Sequence, residues 1–212
     1  MHHKPSYLSV FFAAIRLSRR IGKQSPEFPR SVEAVESFVR EQLSMTRKRK
    51  VVIQFHPRIY EGKVFLGTIE DSFEKVNIYY DLNKNRCWRR FINTKELCQL
   101  LYDSPDDAHL TSSPEQIESL LRQILAGLNN VDLINNHAAS SEEVTVFYAI
   151  EILLPHSERG NVEQMLADGR SPREIASKYL VPEVMVNLYL AQHYKDVMSR
   201  AYAEFRDQHQ DD

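Results

Sequence analysis

The five residues Lys95-Glu96-Leu97-Cys98-Gln99 keep the spacing of a catalytic frame but not its side chains. Two histidines four apart on a helix share one face and can hold a zinc ion, and a glutamate directly after the first can activate the metal-bound water. Glu96 stands in the position of that base. Lys95 takes the place of the first imidazole and Gln99 the place of the second. A lysine charged at neutral pH has no lone pair to give a metal, so the frame reads as a metal-binding helix whose metal site has been dismantled. The plainer alternative is an ordinary amphipathic helix in which Phe91, Leu97, Leu100 and Leu101 face the core while Lys95 and Gln99 face solvent.

A second stretch bears on that choice. Glu142-Glu143-Val144-Thr145-Val146-Phe147-Tyr148-Ala149 runs on through Ile150-Glu151-Ile152 into Leu153-Leu154-Pro155. Together with Arg89-Arg90-Phe91 ahead of the first frame and Leu100-Leu101 behind it, this order of motifs resembles the ImmA/IrrE family of metallopeptidase-like proteins. The resemblance runs from about Asn77 to about Leu190. It implies an α+β fold, in which a small antiparallel sheet packs with helices that include a zincin-like active helix, followed by a helix-turn-helix-like C-terminal region. It also implies that Glu142 stands where the family has its third zinc ligand.

With both histidines absent, three protein ligands cannot be assembled from the frame. The expected site is therefore a degenerate one of Lys95, Glu96, Gln99 and Glu142, without zinc or other cofactor. A Lys95–Glu142 ion pair would tie the two helices in place of the metal. Active members of the family act with helix-turn-helix transcription repressors of bacterial mobile-element or stress genes. The resemblance thus implies a pseudo-peptidase that binds such a regulator as its protein partner without cutting it. An alternative is a peptidase with a substitute ligand set drawn from Glu142, Glu143, His109 and His137.

Composition fits one folded body, since 212 residues with 42% hydrophobic and 26% charged content lie in the ordinary globular range. The segment boundaries fall at residues 1–50, 51–158 and 159–212. Two cysteines, Cys87 and Cys98, supply no disulfide framework, which points to a reducing, cytoplasmic setting. No segment has the run of apolar residues a membrane span needs. The net charge of −2 is unevenly spread: residues 1–50 carry 11 Lys/Arg against 4 Asp/Glu. Arg16, Arg19, Arg20, Arg47, Lys48, Arg49 and Lys50 in this basic segment are candidates for contact with DNA, or else a solvated face that balances an acidic body. A DNA-binding regulator is accordingly a third functional reading.

The elements that must position these residues follow from periodicity. Tyr7 to Ile15 reads as a helix broken at Ser25-Pro26, and Ser31 caps an amphipathic helix over 32–43. Runs at 51–55, 63–69 and 75–82 read as strands of an antiparallel meander, with His56 at the rim. The 88–102 helix holds the frame. Ser113-Pro114-Glu115-Gln116 starts a further helix through Leu128. Residues 171–190 have the cadence of a helix-turn-helix, but 182–190 offer only Asn187 as a polar donor beside Glu183, which suits packing better than base reading.

Overall fold

Ser141–Leu153 is a helix with scarcely a polar side, and the rest of the molecule is built around it. A helix apolar on all faces is stable only when it is surrounded, and Val144, Val146, Ala149, Ile150, Ile152 and Leu153 are fully buried. The computed structural model describes residues 6–58, 67–71, 74–102, 119–120, 123 and 140–208. In chain order these give α1 (Tyr7–Gln24), α2 (Val32–Arg47), β1 (Val52–Arg58), β2 (Gly67–Asp71), β3 (Lys75–Asp81), α3 (Arg86–Tyr102), the central α4 (Ser141–Leu153), α5 (Arg159–Ala167), α6 (Pro172–Tyr179), α7 (Glu183–Leu190) and α8 (Gln192–Gln208). A single 3-10 turn, His156–Glu158, joins α4 to α5.

The protein is α+β, with a three-stranded sheet ordered β1-β3-β2. β2 pairs with β3 antiparallel, as in a meander, but β1 lies parallel to β3 on its other side. The expected meander is corrected in this respect. Burial gives the physical reason: Val76, Ile78, Tyr79 and Asp81 of β3 are buried, which suits a strand flanked on both sides, while Pro57, which has no N–H, is tolerated in β1 because β1 is an edge. The first part of the expected 63–69 strand and the expected 113–128 helix lie largely outside the described residues, as do His109 and His137.

Two apolar clusters meet on α4. One joins α4 to α1, α3 and the C-terminal helices, with Phe11, Phe147, Tyr189 and Met198 among its members. The other places α2, α3 and the sheet together through Val39, Ile53, Ile78, Leu97 and Ile152. Residues 6–50 are therefore part of the body: α1 packs along α4 and α8, and α2 packs on α3. Arg30, in the loop before α2, strengthens this seam by donating to Ser18 Oγ at 2.7 Å and to the Ile152 carbonyl at 3.0 Å. Among the described residues no helix is long and apolar enough to cross a membrane.

Candidate functional site

α3 and α4 lie against each other, and the start of α4 is fixed before any site chemistry is considered. Ser140 caps it in a reciprocal box, its Oγ accepting from Glu143 N–H at 3.2 Å while Glu143 Oε2 accepts from Ser140 N–H at 2.7 Å. The other Glu143 oxygen accepts a hydrogen bond from the Tyr7 hydroxyl at 2.7 Å. Burial, and then this bond to a carboxylate, push the Tyr7 phenol up. Glu143, weighed above as a substitute zinc ligand, is thus committed to the cap and to α1.

Its neighbour Glu142 turns toward α3. Lys95 Nζ donates to Glu142 Oε2 at 3.1 Å and lies 3.1 Å from Glu96 Oε1. The Lys95 side chain is 1% exposed and that of Glu96 5%. Gln99, one helical turn further along the same face, is also buried. The amphipathic alternative, with Lys95 and Gln99 turned to solvent, is therefore incorrect: the residues that would face water are inside. The ion pair between residues 95 and 142 is present.

The electrostatics follow from that burial. Removing an ammonium from water lowers its pKa, but the carboxylates of Glu96 and Glu142 outweigh this and hold Lys95 above its ordinary value. Lys95 is therefore a cation at neutral pH, placed between two anions. Zinc does not fit this set. One oxygen of each carboxylate, Glu96 Oε1 and Glu142 Oε2, already lies 3.1 Å from the Lys95 ammonium, and neither an ammonium nor a carboxamide replaces an imidazole. Cys98, at a variable position of the frame, is sealed in the core, where burial pushes its thiol up.

The flanking motif residues have structural tasks. Arg90 donates from Nε to the Leu180 carbonyl at 3.1 Å and from Nη2 to the Arg30 carbonyl at 2.7 Å, joining α3 to the α6–α7 turn and to the loop before α2. Phe91 is fully buried with Trp88 edge-on to it. Cys87 and Trp88 line a recess of about 330 Å³ that Val181 and Pro182 close from the α6–α7 side.

Several of the candidate DNA contacts are already engaged. The Arg19 guanidinium lies 4.6 Å from the Phe205 ring centroid and that of Arg20 lies 5.0 Å from Phe38. Arg47 forms a two-pronged pair with Asp71, and Arg49 lies 3.4 Å from Glu74. Arg16, Lys48 and Lys50 are exposed. In α7, Met185, Val186, Leu188 and Tyr189 are buried, which leaves Glu183 and Asn187 as its exposed residues.

One polar cluster was not anticipated. Glu151 of α4 is 1% exposed and accepts from the Tyr202 hydroxyl and from His156 N–H, the latter at 3.1 Å. Burial raises its carboxyl to about 7 against the Tyr202, His156, Arg30 and Arg19 contributions that lower it. The sole clue in the sequence was one acid inside an otherwise apolar run, Ala149-Ile150-Glu151-Ile152-Leu153. No protein-family model matches the chain, and no curated protein matches it in sequence.

Proposed function

We propose that the chain is a catalytically inactive, ImmA/IrrE-like pseudo-metallopeptidase that regulates by binding a protein partner, a helix-turn-helix transcription regulator of mobile-element or stress genes. The observation that carries this reading is the Lys95 ammonium held between Glu96 and Glu142. A cation fixed by the chain itself does the bridging that a metal would do between two helices, and it leaves Glu96 without a metal-bound water to activate. The partner's class comes from the resemblance of the motifs and is an analogy at the level of the fold.

Metal content tests the reading in two directions. Elemental analysis of the wild-type protein, purified without chelator or metal-binding tag, is expected to find no stoichiometric zinc. The double substitution Lys95→His with Gln99→His restores the two imidazoles opposite Glu142 and is expected to take up about one zinc per chain. Zinc in the wild type would favour the peptidase with substitute ligands. A double variant that folds and takes up none would remove the zincin-like frame from which the reading starts.

A further inference from the structure

The first turns of α3 carry Arg86, Arg89 and Arg90 along one side of a recess of about 360 Å³. Arg90 is occupied by two backbone carbonyls. Arg86 and Arg89 are different: among the described residues neither guanidinium has a hydrogen bond or an ion pair. They are spaced three apart and so lie on one helical face, where two planar forks can receive carboxylate oxygens in pairs. Asn93, one turn deeper on the same wall, has a buried side-chain oxygen with no hydrogen-bond partner. Phe55 and Tyr80 supply an aromatic part of the lining.

The opposite wall decides which anion suits the recess. It is formed by Glu33 and Glu36 of α2, of which Glu36 lies 3.5 Å from Arg40. Glu33 is held low by the Ser31 hydroxyl and its own backbone N–H, with Arg90 and Arg86 adding to the effect. A phosphate backbone, charged at every unit, would be repelled along that wall. A peptide can place one or two carboxylates on Arg86 and Arg89, an apolar side chain on Phe55 and Tyr80, and uncharged backbone past the glutamates. We infer that this recess docks an acidic segment of a protein partner that also carries an aromatic or apolar residue. The inference rests on the partner-binding reading above and gives it a surface.

A fluorescein-labelled random copolymer of glutamate and tyrosine serves as the probe, with full-length protein titrated against it by anisotropy. Wild type is expected to bind. Arg86→Glu with Arg89→Glu is expected to weaken binding by about tenfold or more, and Arg86→Gln with Arg89→Gln by less, because truncating charge removes attraction while reversal adds repulsion. The control, Arg200→Glu with Arg206→Glu on exposed positions of α8, makes the same change in net charge and is expected to leave affinity within about twofold. Absence of wild-type binding, an equal loss in the control, or displacement of the copolymer by a lower concentration of duplex DNA would each overturn the assignment. None of these outcomes changes the zinc measurement, so the recess and the dismantled metal site fail separately.

Discussion

Lys95 is the cation on which the contact between α3 and the start of α4 is centred. A neutral group at position 95 would remove the ammonium that lies 3.1 Å from both Glu96 and Glu142, and breaking a buried ion pair from one side costs about 3–5 kcal/mol. Lys95→Met is therefore expected to lose that order of stability in urea unfolding. Lys95→Met combined with Glu142→Gln is expected to recover part of it, giving a coupling of about 1–3 kcal/mol. Strict additivity would mean that the two groups do not act as a pair. This contact was legible in the sequence because a four-residue helical spacing and a later glutamate are local patterns. The burial of Gln99 was not, because it depends on elements that cover α3 from elsewhere in the chain.

Between elements, Glu151 and His156 fasten α4 to α8 and oppose each other as pH changes. His156 Nε2 is 3.2 Å from Ser199 Oγ, and its ring lies 5.2 Å from that of Tyr202, tilted by 39°. Tyr189, Tyr194, Arg159, Glu163 and Lys195 are further charged and titratable neighbours of the cluster, beside Arg30 and Arg19. Glu151 is raised from 4.5 to about 7, so its contribution is full below pH 4.5 and is lost as pH rises toward 7. His156 is lowered from 6.5 to about 4 by burial and then by Arg159, so its contribution is present above pH 6.5 and is lost as pH falls toward 4.

The two slopes nearly cancel over the shared window. Wild-type stability is expected to vary little from this pair between about pH 4.5 and 6.5. Glu151→Gln should make stability rise with pH relative to wild type, and His156→Asn should make it fall, each by up to about 3 kcal/mol across the window. Urea unfolding at several pH values measures both, and parallel curves for all three proteins would contradict the opposed-pair account. Helix boundaries at this scale were readable in part from caps and prolines: Ser31 caps α2 through its side chain, and α1 ends just before Ser25-Pro26. The sheet order was not readable, since the choice between two neighbouring strands as pairing partner leaves no local trace in either.

Taken whole, the molecule uses its basic N-terminal stretch as core. Phe11, Ile15 and Ile21 are fully buried, and Val10 and Ala14 are 1% exposed. Val10, Phe11, Ile15 and Ile21 each contribute about 1.5–3 kcal/mol by leaving water, and together they are comparable with the whole net stability of a typical domain, about 5–15 kcal/mol. Residues 25–212 expressed without α1 are expected to show no cooperative thermal transition. A melt matching that of the full chain would mean that α1 is a detachable arm. The positive charge of residues 1–50 was plain in the sequence. What it could not show is that Arg19 and Arg20 lie over aromatic rings and Arg47 over an acid, because those partners are Phe205, Phe38 and Asp71.

The chain has a single tryptophan, and it is Trp88, half-buried between Arg86 and Arg89. Its emission therefore reports on the first turns of α3 and on the α6–α7 turn that faces them across the recess. Cys87 beside it is half-buried, whereas the only other thiol, Cys98, is sealed in the core. The native protein thus carries an intrinsic fluorophore and one accessible attachment point at adjacent positions, so events at this turn can be followed optically without adding a residue.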